Sequence, residues 1–162
     1  MNRKFMAVCF TVTTIAIMVT IFLLSSQNSD ESSDLSKGFI ENVISCIPVL
    51  KHITAEQKTS IIKSIHNFVR KTAHFSIYAA LGFSAAGAFG NGLPGMKKRN
   101  IYIFAVLLCC VYAATDECHQ IFIPGRSGEI RDVGIDTCGG AVGAAVYMMA
   151  LRIIRGVRNR EL

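Results

Sequence analysis

The chain reads as an all-α protein: a four-helix transmembrane bundle with an amphipathic helix on its outer surface in the first loop. Three observations carry that reading. Hydrophobic residues make up 51% of the 162 positions, and the mean hydropathy of +0.42 is high for a protein dissolved in water. Four windows, near 5–24, 72–91, 101–120 and 133–154, approach the roughly 20 apolar residues that cross a bilayer. The lysines and arginines crowd beside those windows rather than spreading evenly. The length suits a single domain over 1–162, and no internal repeat is evident.

The first window, Phe5 to Leu24, holds no charge and follows Arg3 and Lys4. Its apolar stretch is too long for a signal peptide and no A-x-A-like cleavage site follows, so an uncleaved signal anchor is expected. The loop that follows has two parts. "SSQNSDESSDLS" is polar and reads as a linker. "TAEQKTSIIKSIHNFVRK" opens with a capping box, Thr54 and Gln57, and then repeats Ile61, Ile62, Ile65, Phe68 and Val69 at helical spacing. This is the amphipathic helix, expected on the outer membrane surface and able to run straight into the second window. "DLSKGFIENVISCI" is a weaker pattern of the same kind.

The second window, Thr72 to Asn91, contains His74. The third starts at Ile101, and about 20 residues at 1.5 Å each bring it to Gln120. The fourth, Val133 to Ile154, is interrupted by Asp136 and Arg152. Within it, Gly139 and Gly143 form a small-xxx-small pair that lets another helix approach closely.

The net charge of +6 and pI near 9.1 do not point to nucleic acid. Nine of the 17 Lys and Arg lie in the N-terminus, the 92–100 loop and the C-terminal end from Arg152 onward, whereas the other eight are spread over the long loop and one short loop. That density predicts both termini in the cytoplasm of a multi-pass protein, with membrane lipids as its surroundings. Of the six cysteines none forms a C-x-x-C pair, and they read as small apolar packing residues. A bridge between Cys118 and Cys138 requires both to face the outer side, and the sequence leaves that open.

This topology sends three polar groups to one side. Asp116, Glu117, His119 and Gln120 occupy the last turn and a half of the third span. Lys71, His74 and Tyr78 fall at i, i+3 and i+7 where the second span enters. Asp132 and Asp136 lie four apart where the fourth span enters, and a Pro124–Gly125 turn suspends Arg126 over the group. Each residue has an ordinary explanation. His74 can be a packing residue, Asp132 an N-cap, Glu117 a headgroup-zone acid and Arg126 the partner of Asp132. Their convergence is harder to explain that way, because ionisable residues within a membrane are functional candidates by default.

Four stretches resemble the VanZ-like family of bacterial membrane proteins. "SSQNSDESSDLS" is similar to its SSQ-and-serine stretch, and "RKTAHFSIYAALG" to K-x-x-H-F-x-x-Y-x-x-L-G. "DECHQIFIPGR" matches D-E-x-x-Q-x-F-x-P-x-R, and "RDVGIDTCGGAVG" matches D-x-x-x-[ND]-x-x-G-x-x-x-G. The last two are the more specific. Ile77 departs from the pattern, which has Glu before the Tyr in many members, and His119 fills a position the motif leaves open. The resemblance implies a bacterial cell-envelope location and an association with glycopeptide (teicoplanin) antibiotic resistance without remodelling of the cell-wall precursor. It implies no reaction and no cofactor. The motif positions present here are Lys71, His74, Tyr78, Asp116, Glu117, Gln120, Arg126, Asp132 and Asp136.

Three functions compete. One is binding or shielding of a lipid-linked cell-wall precursor, a glycopeptide or another anionic ligand at the outer leaflet, with Arg126 and Lys71 meeting the charge. Another is an intramembrane enzyme on a lipid or lipid-linked headgroup, with His74 or a carboxylate as base. The third is a structural scaffold. A metal held by His74, His119, Asp116 and Asp132 fits no known ligand spacing, so none is expected. Transport is disfavoured by the small number of spans.

Overall fold

A computed structural model describes residues 2–26, 55–124, 126 and 128–158, all helical or connecting, with no strand among them. The helices are α1 (Arg3–Ser25), α2 (Ala55–Gly92), α3 (Lys98–Gln120) and α4 (Ile130–Arg158). Each expected span lies inside one of them. The polar linker and the weaker helix near 34–47 fall outside the described residues.

α1 begins where the side chain of Asn2 accepts the Lys4 amide at 3.0 Å, an N-cap that satisfies one orphan donor of the first turn. Its outward face carries Phe5, Val8, Val12, Ile15 and Leu23, each at least 56% exposed, which is the signature of a lipid-facing surface rather than a protein core. The hydroxyls of Thr11, Thr13 and Thr20 fold back onto the carbonyls of Ala7, Cys9 and Ala16, so they carry no unmet demand into hydrocarbon.

α2 is continuous over 38 residues. At 1.5 Å per residue that is about 57 Å, well beyond the roughly 30 Å of a hydrocarbon core. The amphipathic segment and the second span are therefore one helix, and its early turns extend past the bundle with Phe68 72% exposed.

By length and composition α1, α3 and residues 130–154 of α4 are apolar enough to cross a membrane. The second window is not among them. α2 sits at the centre, packed against all three other helices, so it shows less surface to lipid and tolerates Ser84 and a run of Ala and Gly in its buried face.

The α2–α4 contact follows from the glycines. A Cβ on Gly143 would sit 1.8 Å from the carbonyl oxygen of Ala79, one on Gly139 2.4 Å from that of Phe75, and one on Gly82 2.0 Å from that of Gly140. Backbone meets backbone here, as the small-xxx-small pair predicts. Two apolar layers complete the core. One is Ala85, Ala86, Ile101, Ala105, Ala144 and Tyr147, with Phe10 and Phe83 packed edge-on to Tyr147. The other is Ile21, Tyr78, Leu81, Cys109 and Ala113. The α2–α3 connection turns at Gly95, whose φ of +86° suits a residue without a side chain.

The bundle has two unlike ends. The basic end gathers Arg3, the 93–97 turn and Lys98. There Arg3 donates to the carbonyls of Gly90 and Asn91, capping the end of α2. The polar end gathers the close of α1, the Lys71 region of α2, the close of α3 and the start of α4. Cys9, Cys109, Cys110, Cys118 and Cys138 are all free thiols, so Cys118 and Cys138 are not bridged. Cys46 lies outside the described residues.

Candidate functional site at the polar end

The helical register delivers most of the expected residues to one place. Tyr78, Asp116, Glu117, Gln120, Asp132 and Asp136 are buried, although all but Tyr78 and Gln120 are acids. A small cavity of about 10 Å³ opens among Arg70, Lys71, His74, Glu117, Gln120 and Asp136, room for a single water-sized body.

One set of groups is fully engaged. Lys71 donates to Asp132 Oδ1 and lies 3.5 Å from Glu129 Oε2. Arg70 reaches Asp132 Oδ2 at 3.4 Å. The hydrogen bond to Asp132 holds the Lys71 ammonium above the usual lysine range, against the opposing pull of burial. Asp132 lies inside the first turn of α4 and is not its N-cap. There the helix dipole favours its negative charge. Glu117 Oε2 accepts the Glu129 amide at 2.8 Å, which ties the start of α4 to the end of α3. Gln120 Nε2 donates to Asp116 Oδ2 at 3.1 Å and to Glu117 Oε1 at 3.4 Å.

A second set is not engaged. His74 Nδ1 lies 3.4 Å from Asp136 Oδ2, close enough for a charge contact, yet neither oxygen of Asp136 has a hydrogen-bond partner. The Tyr78 hydroxyl, wholly buried, has none either. Ligand atoms of His74, Asp116 and Asp136 lie within 4.8 Å of one another. The metal set weighed from sequence is thus divided. His74 and Asp116 stay together, Asp136 joins them, Asp132 is held by Arg70 and Lys71, and His119 is elsewhere.

His119 and Arg126 depart from expectation, and for the same reason: both meet the end of α1. His119 stacks on Phe22 with ring centroids 4.8 Å apart and meets Ser26 Oγ at 3.2 Å, turned away from the acids. Arg126, expected against Asp132, Glu117 or Asp116, ion-pairs with none of them. It donates to the carbonyl of Leu24 at 3.3 Å, one of the orphan acceptors in the last turn of α1. Its Nε and Nη1 are buried without a partner. Burial and the neighbouring Arg70 draw the guanidinium below its usual range, while Asp116 and Glu117 oppose that from nearby.

Arg70 and Glu129 also join the polar end, although neither lies on the faces that the sequence spacing marks. Arg70 is one residue off the Lys71–His74–Tyr78 face, but its long side chain spans the difference. Glu129 sits three residues before Asp132, a spacing that marks the start of α4.

A family model described as VanZ/LLP1 matches residues 10–153. The chain belongs to the VanZ/LLP1 family. The match runs from α1 to α4, so every described residue of the polar end lies within the family region. Ile77, the departure from the VanZ-like pattern, packs beside Ile21, Tyr78 and Leu81 as an apolar contact. No curated protein and no solved structure matches the chain.

Proposed function

We propose that this VanZ/LLP1 membrane protein lies in a bacterial cell membrane with both termini cytoplasmic, and uses its polar end, at the outer leaflet, to hold an anionic lipid or lipid-linked headgroup. The observation that carries this is Arg126. Two of its nitrogens are buried without a partner, and it lies beside a like charge, Arg70. A planar guanidinium with free donors suits a phosphate, which would also relieve the repulsion between the two arginines. The orientation rests on the density of lysine and arginine at the basic end. Cover of a lipid-linked cell-wall headgroup is also how the reading would connect with glycopeptide resistance.

Purified protein in micelles, offered phosphatidylglycerol, a polyprenyl phosphate or phosphatidylcholine and weighed by native mass spectrometry, tests the binding. The anionic lipids should be retained over phosphatidylcholine, and Arg126→Ala should weaken their retention about tenfold, a loss of about 1.4 kcal/mol. Equal retention by wild type and variant would remove the reading. Single-cysteine labelling tests the orientation: position 97 should react only from the cytoplasmic side and position 129 only from outside.

A second reading, an intramembrane enzyme acting on that headgroup, is favoured by the contact of His74 Nδ1 with Asp136 Oδ2, since a carboxylate can orient an imidazole for proton transfer. Release of product from the retained lipid would distinguish it from simple binding.

A further inference from the structure

His74, Asp116 and Asp136 bring two buried acids together at the polar end, and among the described residues no lysine or arginine is paired to either. Arg70 and Lys71 are committed to Asp132, with Lys71 also serving Glu129, and Arg126 donates to Leu24. Asp116 and Asp136 are 4% and 1% exposed; His74 is the basic side chain paired with Asp136, and Arg126 lies within electrostatic reach of Asp116 without pairing with it. With both carboxylates ionised, the two buried acids outweigh one imidazole even when it is protonated. Burying uncompensated charge costs several kcal/mol per ion.

Geometry says what would compensate it. The three side chains come from three helices and each offers one ligand atom, all within 4.8 Å of one another. His74 Nδ1 and Asp136 Oδ2 are already 3.4 Å apart, which is about the edge of a tetrahedron whose metal–ligand bonds are 2.0 to 2.1 Å long. Apart from the contact of Oδ2 with His74 Nδ1, the oxygens of Asp136 have no hydrogen-bond partner, so a ligand lone pair is available. Asp116 is steadied by Gln120 Nε2, the kind of outer contact that orients a ligating carboxylate. The adjoining cavity holds about one water, and so leaves a position open for solvent or a headgroup oxygen.

We infer that His74, Asp116 and Asp136 form a binding site for one divalent transition-metal ion. A nitrogen and two carboxylates suit Zn²⁺ or Mn²⁺. The ion gives the two acids a shared positive partner and joins α2, α3 and α4 at one point. In this arrangement His74 Nδ1 is a ligand and is not free to accept a proton. The inference does not rest on the headgroup reading, since neither Arg70 nor Arg126 is a ligand.

The full chain, purified through a tag without histidine and stripped with a chelator, would be equilibrated with Zn²⁺ and separately with Mn²⁺. Metal content by mass spectrometry and thermal midpoint would be read together. About one ion of at least one metal per chain should bind and raise the midpoint. Asp136→Asn and His74→Gln should each weaken binding tenfold or more, and Glu129→Gln, an acid at the same end outside the set, should bind normally. No binding by wild type above the micelle background would overturn the site. So would full retention by folded Asp136→Asn, or equal loss in Glu129→Gln, which would mean a diffuse acidic attraction. If the ligand variants fail to fold, the wild-type stoichiometry and midpoint shift still decide the matter.

Discussion

The two ends of the bundle are built from the same four helices and treat polar groups in opposite ways. At the basic end they are answered locally: Arg3 caps α2, and Asn91 donates to the Gly87 carbonyl and to the Tyr147 hydroxyl. Between the ends, Thr14 meets Ser84 at 3.1 Å. At the polar end acids accumulate, and the buried unpartnered atoms found among the described residues all belong to Ser25, Tyr78, Arg126 and Asp136. Hydrocarbon penalises an unmet polar group wherever it lies, so a protein selected only for stability has no reason to confine such groups to one end. The contrast marks the basic half as the frame and the polar half as the place where something else completes the contacts.

The frame is the easiest part to break. Gly143→Leu should destabilise the bundle by about 3 kcal/mol or more, because the new side chain meets the Ala79 backbone rather than a movable side chain. Gly134→Leu, at a site with nothing within 4 Å, should be nearly neutral. Thermal midpoints in a single detergent would show the difference. Equal effects would mean that α2 and α4 do not meet as closely as their glycines allow.

The polar end can be probed through pH. Lys71 has a folded-state pKa raised above the ordinary 10.5, mainly by its hydrogen bond to Asp132. A raised pKa in a cation means the stabilisation is full below that ordinary value and fades as pH rises through the folded value. Wild type should therefore exceed Lys71→Met by about 1 kcal/mol near neutral pH, a modest figure because the pair is partly exposed. On the alkaline side the gap should close above about pH 10.5. A gap that persisted unchanged through that alkaline range would show that the lysine charge does not hold the pair.

These contrasts were unevenly legible in the chain. The helical spans, the Gly139–Gly143 approach and the convergence of Lys71, His74, Tyr78, Asp116 and Asp136 follow from periodicity and from counting crossings. Periodicity says which side of its own helix a residue occupies; it does not say which neighbour waits there. Arg126 and His119 went to α1 because that helix ends beside the α3–α4 connection, and a charge-free apolar helix carries no pattern that announces its partners. Arg70 escapes periodicity for another reason: a long flexible side chain reaches beyond the face its Cβ defines.

The smallest expected effect separates the two ends most cleanly, because it compares one atom with one atom. Tyr147 at the basic end and Tyr78 at the polar end are both buried, and each can lose its hydroxyl with almost no change in shape. The Tyr147 oxygen accepts from Asn91 at 3.1 Å, so Tyr147→Phe leaves that amide one acceptor short and should cost about 0.5 to 1.5 kcal/mol. The Tyr78 hydroxyl has no hydrogen-bond partner, so its removal deletes a desolvated group and should leave stability unchanged or slightly higher. It lies within electrostatic reach of Asp116 and Asp136, however, so the same change should alter whatever binds there. Loss of stability at Tyr147 with binding intact, and loss of binding at Tyr78 with stability intact, would establish the division between frame and site. If Tyr78→Phe instead destabilises the protein and leaves binding untouched, its hydroxyl belongs to the frame and the division fails at that atom.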